Sequence, residues 1–120
     1  MAYTTLTPQE ITSAGIVPSY VAAPGAGAGN GSAIPGTGDV FIHVKNGGAS
    51  PIDVTVITGG TLEGEPVADK VIAVANASEK MIGPFRPTAF NQPTGAPTNA
   101  GQVLVEYSAI TSVTVAAFTT

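Results

Sequence analysis

The sequence predicts an all-β fold, a single small β-sandwich or jelly-roll-like barrel with an extended N-terminal arm. From Asp39 to Thr120, short β-branched runs with period two alternate with turns rich in Gly, Pro and Asn. Six such runs follow one another at a spacing of roughly 12 residues, and no long helical pattern separates them. The chain therefore divides into an arm and Gly/Ala/Pro-rich linker, residues 1–38, and a sandwich, residues 39–120.

The arm carries one helix signal, followed by the linker. Thr7-Pro8-Gln9-Glu10 matches a capped helix start, with Thr7 as the N-cap, and Gly15 ends the predicted helix. A helix of about two turns is marginal in isolation, so its apolar residues require a surface to rest on. Residues 17–38 include glycines at alternate positions from 25 to 31, which predicts a flexible linker or long loop. A short strand is expected within it at residues 20–23.

The first two strands of the sandwich have the clearest alternation. Val40, Ile42 and Val44 share one face, and a turn at residues 46–51 leads to a second run in which Ile52, Val54 and Val56 share one face. These two runs predict an antiparallel hairpin with one core face. The remaining strands are predicted at 67–75, 78–85, 103–108 and 112–119, and residues 87–101 form a long loop that carries Phe90.

Composition excludes several classes of partner. Charged residues make up 10% of the chain, and four Lys and Arg against eight Asp and Glu leave a formal charge of −4. Such a chain lacks the basic surface that nucleic acid or an anionic membrane requires. The N-terminal residues do not resemble a signal peptide, and there is no 18-residue apolar run, so we expect neither signal-dependent export nor a membrane span.

Few residues are suited to catalysis or to metal binding. His43 is the single histidine and there is no cysteine, which favours a structural or interfacial histidine over a metal ligand. The glycine run at 25–31 lacks the spacing of a dinucleotide fingerprint. Glu63, Glu65 and Asp69 lack the alternation of a calcium loop. We therefore expect a protein that is not an enzyme and has neither cofactor nor metal.

A binding role directs attention to apolar and aromatic residues outside the predicted core. Tyrosine and large aliphatic side chains at exposed positions are typical anchors in protein interfaces. Because the predicted sandwich is small, a partner or a second copy would add stability. The candidate partner-binding residues are Tyr3, Leu6, Ile11, Ile16 and Tyr20 in the arm, and Phe90 in the long loop.

Four segments give the chain a resemblance to small virion proteins of tailed bacteriophages. They are the opening Leu6-Thr7-Pro8-Gln9-Glu10-Ile11, the strand from Phe41 to Gly47, the turn Met81-Ile82-Gly83-Pro84-Phe85, and the closing run from Val105-Glu106-Tyr107-Ser108 to Val113-Thr114-Val115-Ala116. The resemblance covers most of the chain and is weakest in the Ala/Gly-rich stretch between residues 24 and 38.

The resemblance implies a decoration or cement subunit on the outer surface of an icosahedral capsid, made in the host cytoplasm. Its partners would be the major capsid protein and other copies of itself, most often as a homotrimer, and its arm and sandwich edges would clamp neighbouring capsid subunits. Two alternatives stay open. One is a head-tail joining or tail structural protein, and the other is a carbohydrate- or host-surface-binding β-sandwich module.

Overall fold

The computed structural model describes residues 3–27, 30–58, 61–62, 65–66, 69–85 and 101–119. These residues form an all-β sandwich of two packed sheets and a separate two-stranded ribbon. Among them there is no helix with the length and apolar character of a membrane span. The strands are β1 Tyr3–Thr5, β2 Gln9–Glu10, β3 Val21–Ala22, β4 Gly31–Pro35, β5 Val40–Asn46, β6 Ile52–Ile57, β7 Thr61–Leu62, β8 Glu65–Pro66, β9 Lys70–Val74, β10 Ser78–Ile82, β11 Gln102–Tyr107 and β12 Val113–Thr119.

Both sheets include strands of the arm. The first sheet has the order β1-β4-β11-β6-β9, with β1 parallel to β4 and the other neighbours antiparallel. The second sheet has the order β10-β5-β12, and two short arm strands lie along the outer edge of β12, β2 parallel and β3 antiparallel to it. The arm passes from one sheet to the other at Leu6, whose side chain is buried in the core. The arm is therefore part of the sandwich.

The core lies between the two sheets and follows the predicted alternation. Every second residue of the four longest strands is buried, and a fully buried aliphatic side chain of this size contributes about 1.5–3 kcal/mol. The predicted core faces of β5 and β6 are confirmed. The core-facing residues of all four strands occupy alternate positions. They are Val40, Ile42 and Val44 on β5, Ile52, Val54 and Val56 on β6, Val103, Val105 and Tyr107 on β11, and Val113, Val115 and Ala117 on β12.

One buried polar pair joins two strands of the first sheet. The Ser32 hydroxyl on β4 lies 2.8 Å from the Tyr107 hydroxyl on β11, and both residues are buried. Each hydroxyl group is the hydrogen-bond partner of the other, although both are buried away from solvent. Burial raises the pKa of Tyr107 to about 12, because the low-dielectric surroundings disfavour the phenolate.

The predicted arm helix is absent, and the prediction was wrong. Gln9 and Glu10 form β2, which pairs with Phe118 and Thr119 of β12. The Ile11 amide then donates to the Thr119 carbonyl at 2.8 Å. A two-turn helix is only marginally stable in isolation. The hydrogen bonds that this segment makes with the edge of a long strand therefore stabilise it more than the capped helix would.

The predicted linker contains a buried strand. Residues 31–35 form β4, an inner strand of the first sheet between β1 and β11, although the sequence predicted a flexible linker over 17–38. Gly31 has a φ of 148°, and a Cβ added there would lie 1.9 Å from the Val105 carbonyl oxygen. The glycine that suggested flexibility is therefore required for close strand packing. The short strand expected at 20–23 is present as β3.

The predicted hairpin of β5 and β6 does not form. The two strands lie in different sheets, so residues 47–51 cross the sandwich. The Asn46 side-chain amide supports this crossing by donating to the Ser50 carbonyl at 2.8 Å and accepting from the Gly48 amide at 3.0 Å. It also lies within donating distance of the carbonyls of Val74 and Ala75. Alternation alone does not reveal which sheet a strand joins.

Candidate partner-binding surface

The outer face of the second sheet carries several apolar and aromatic side chains. His43 on β5 is the register partner of Met81 on β10 and of Ala116 on β12. Phe118 lies two residues after Ala116 on β12 and is the register partner of Phe41 on β5. The centroids of the two phenyl rings are 5.9 Å apart. Because strand residues alternate between faces, these side chains point away from the core. The outer face of the second sheet therefore has an apolar part, beside polar residues such as Lys45 and Glu79.

Tyr20 of the arm covers the middle of this face. Its hydroxyl lies 2.7 Å from His43 Nδ1, and its ring meets the Phe118 ring edge-on at 6.2 Å between centroids. The Lys45 ammonium lies 3.9 Å from the centroid of the Tyr20 ring, which is cation–π geometry. Tyr20 therefore explains why His43 and Phe118 are buried although they lie on the outer face.

Both ring nitrogens of His43 have partners. Nε2 lies 2.9 Å from a carboxylate oxygen of Glu79, whose side chain is largely exposed. A carboxylate only accepts hydrogen bonds, so in the neutral ring Nε2 carries the hydrogen, and Nδ1 accepts from the Tyr20 hydroxyl. His43 thus links the arm to β10 and is structural, as the sequence favoured.

An open apolar groove of about 310 Å³ lies between the arm and this face. Met81 and Ile11 at its rim are 60% and 40% exposed, whereas Phe118 at its floor is buried. We call this feature the arm groove, because the arm supplies more than half of its lining residues. They are Ile11, Ile16, Pro18, Tyr20, His43, Met81 and Phe118.

The structure brings together three of the six predicted partner-binding residues, since Ile11, Ile16 and Tyr20 all line the arm groove. Leu6 is a core residue and is not available to a partner, because β1 and β2 place it between the sheets. The Tyr3 hydroxyl donates to the Glu106 carboxylate within the same chain. Phe90 lies outside the described residues.

The sequence pattern did not predict three residues of the arm groove, which are Met81, Pro18 and Phe118. Met81 alternates with buried Ile82 and is flanked by the charged Lys80, so an apolar outward position on a strand was the available signal. Nothing local marks Phe118 as part of the same surface, because its place there depends on where the arm lies.

A second cavity, of about 520 Å³, lies where the arm meets β12 between β2 and β3. Gln9 and Ser19 line it from the arm, and Ala116 lines it from β12. Neither cavity brings several acidic or imidazole ligands together, and the described residues contain no group of three or more His, Asp and Glu that would hold a metal ion. Asp69, one of the three acidic residues that the sequence offered as calcium ligands, accepts hydrogen bonds from the Thr58 amide and hydroxyl.

Comparisons with protein-family models, with curated proteins and with solved structures found no match to this chain. Function is therefore inferred from the residues and contacts described above.

Proposed function

We propose that the protein is a non-enzymatic structural subunit of a tailed-bacteriophage head, which decorates the outer surface of the capsid and stabilises it by contacting neighbouring major capsid subunits. We further propose that it acts as a homotrimer. The resemblance of the sequence to small virion proteins supports the choice of particle. The arm groove carries the proposal, because it is an apolar recess with the exposed side chains of Met81 and Ile11 at its rim.

The chemistry of the arm groove favours a protein partner. Exposed apolar surface that is contiguous with a recess marks interaction sites on soluble proteins. Ile11 and Met81 supply that surface at the rim. Both His43 nitrogens are engaged inside the molecule, so the floor offers few free polar groups for the hydroxyls of a sugar. An apolar side chain from a capsid subunit suits the groove better than a carbohydrate.

The arm is docked on its own sandwich, and this limits how it could hold a neighbouring capsid subunit. The arm strands pair with β4 and β12 of their own chain, and Leu6 and Ala23 are buried. An arm that reached freely across a neighbouring subunit would expose these groups and leave two strand edges unpaired. We therefore propose that the arm contacts the capsid while docked, through the arm groove.

Matched substitutions test this contact. Met81 and Val71 are each 60% exposed, but Val71 lies on β9 of the other sheet. Purified Met81→Asp and Val71→Asp variants would be titrated onto capsids of the source phage that lack this protein, with occupancy measured by sedimentation. We expect Met81→Asp to weaken binding at least about tenfold, because a charge must be desolvated at the contact, and Val71→Asp to bind like the wild type. Equal binding by both variants would exclude the arm groove as the contact.

The particle itself gives the broader test. Cryo-electron microscopy of the virions should show the β-sandwich on the outer capsid surface at three-fold positions, and light scattering should give the trimer mass for the free protein. Density confined to the portal or tail would favour the head-tail or tail alternative. Absence from the particle would refute the virion proposal, and binding to a glycan array would then favour the host-surface alternative.

A disulfide lock tests whether the arm must leave its own sandwich. Ala22 and Thr114 are directly opposed on β3 and β12, and the neighbouring Ala23 amide donates to the Val113 carbonyl. Ala22 and Thr114 are therefore a close non-hydrogen-bonded pair, which suits a disulfide. The chain has no other cysteine. The oxidised Ala22→Cys/Thr114→Cys protein should decorate capsids as well as its reduced form, whereas binding by the reduced form alone would show that the arm acts after release.

A further inference from the structure

The connection between β2 and β3 is closed at its base by one side-chain amide. Gln9 Nε2 donates to the Ser19 carbonyl at 2.8 Å, and the Ser19 amide donates to Gln9 Oε1 at 2.9 Å. The side chain of Gln9 thus pairs with both backbone groups of Ser19, much as a neighbouring strand would. Residues 11–18 form a loop whose two ends lie close to this contact.

This loop has few other attachments to the sandwich. Its first residue is tied by the hydrogen bond from the Ile11 amide to Thr119, and it turns at Thr12 and Gly15, where the Gly15 amide donates to the Thr12 carbonyl at 2.9 Å. Most of its side chains are exposed. Compact loops of this length with adjoining ends are frequent sites of recognition. The contact between Gln9 and Ser19 is therefore well placed to fix how the loop lies.

The loop supplies one wall of the arm groove. Ile11, Ile16 and Pro18 belong to it, and Tyr20 follows directly after the Ser19 contact. If the base of the loop opened, these residues would lose their common position beside Met81, although the paired strands would stay in place. A surface that is held in its binding form before contact loses less entropy on binding.

We propose that Gln9 is a positioning residue for partner binding, which holds residues 11–18 so that Ile11 and Ile16 face an apolar surface of the capsid subunit. This inference rests on the proposed function and adds to it the residue that orders the contact. Gln9 itself does not line the arm groove, and its amide groups are turned towards Ser19. Its role is therefore separate from direct contact with the partner.

The test replaces Gln9 by methionine, which has a similar length but makes neither hydrogen bond. Ser19→Ala is the matched control, because the two hydrogen bonds use the backbone of Ser19 and are retained. Each bond of this kind changes an equilibrium roughly two- to tenfold, so two of them support an effect of about tenfold. Hydrogen exchange of the Ser19 amide, thermal unfolding and capsid binding would be measured for the wild type and for each variant, including Gln9→Glu.

In Gln9→Met, we expect the Ser19 amide to exchange its hydrogen about tenfold faster than in the wild type. Half-saturation of capsids should require about tenfold more protein. Hydrogen exchange in β11 and β12 should be unchanged. Ser19→Ala should bind like the wild type, and Gln9→Glu, which keeps only the acceptor, should bind with intermediate strength. Unchanged exchange at Ser19, or wild-type affinity in Gln9→Met, would overturn the role of Gln9. Failure of the wild-type protein to bind capsids would instead overturn the proposed function itself.

Discussion

Alkaline pH should destabilise the protein through Tyr107. Its hydroxyl is buried against the Ser32 hydroxyl, and burial raises its pKa from 10.0 to about 12. In the unfolded chain, tyrosine loses its proton near pH 10. Between these two values the unfolded state binds fewer protons than the folded state, so stability must fall as pH rises. The contribution is fully present below about pH 10.

The size of the effect follows from the two pKa values. At pH 11 the unfolded tyrosine is mostly ionised and the folded one mostly neutral, which removes about 1.4 kcal/mol of unfolding free energy. Full titration of the folded group, above pH 12, would remove about 2.7 kcal/mol. The effect of Tyr107 is isolated by comparing the protein with a variant that lacks this hydroxyl.

Tyr107→Phe is that variant. Urea unfolding of both proteins would be measured from pH 8 to pH 11. The variant should be less stable by about 1 kcal/mol at pH 8, because Ser32 loses its partner, and this difference should disappear or reverse by pH 11. Parallel pH curves for the two proteins would refute the reasoning, since they would show that the Tyr107 hydroxyl ionises equally easily in both states.

Three further changes probe the packing, each by thermal and urea unfolding. Asn46→Ala should lower the free energy of unfolding by about 3 kcal/mol, because Asn46 is 2% exposed, its two N–H donors are shared among three backbone carbonyls, and its oxygen accepts from a backbone amide. Asn76→Ala in an exposed turn should lower it little, and equal losses would contradict this reasoning. Gly31→Ala should lower the free energy of unfolding by about 3 kcal/mol or more, since the added Cβ would overlap the Val105 carbonyl. A wild-type melting temperature in this variant would exclude that close approach. Val105→Asp should prevent folding by placing an unpaired charge in the core, and a soluble, cooperatively melting variant would contradict the assigned core face.

The part of the fold that local pattern determines was predictable. The strands β5, β6, β11 and β12 have strict alternation, and one side of each must be buried whatever its neighbours are. The predicted core faces of β5 and β6 were correct to the residue. The pairing of these strands was not predictable in the same way, since β5 and β6 have turn residues between them and still lie in different sheets. Residues 47–51 are long enough to cross the sandwich, and the support from Asn46 is visible only in three dimensions.

The arm was misread because its signals are local and its structure is not. Thr7-Pro8-Gln9-Glu10 is a good helix start on its own, but β2 pairs with the C-terminal end of β12. The same limit applies to the site. Ile11, Ile16 and Tyr20 were identified as apolar residues outside the core, but their neighbours Met81 and Phe118 come from β10 and β12. Only the docked arm brings these residues together.

Because the arm forms one wall of the arm groove and the second sheet forms the floor, the groove exists only when the arm is docked. A partner that fills the groove must therefore stabilise docking, by about 2.7 kcal/mol when its concentration is 100 times the dissociation constant. The Ile11 amide, which donates to the Thr119 carbonyl, reports on docking directly. Its hydrogen exchange should slow about 100-fold on saturated capsids, provided that exchange proceeds through arm release. Faster exchange on the capsid would show that the partner takes the arm away from its own sandwich, and a clamp built from a released arm would then replace the groove.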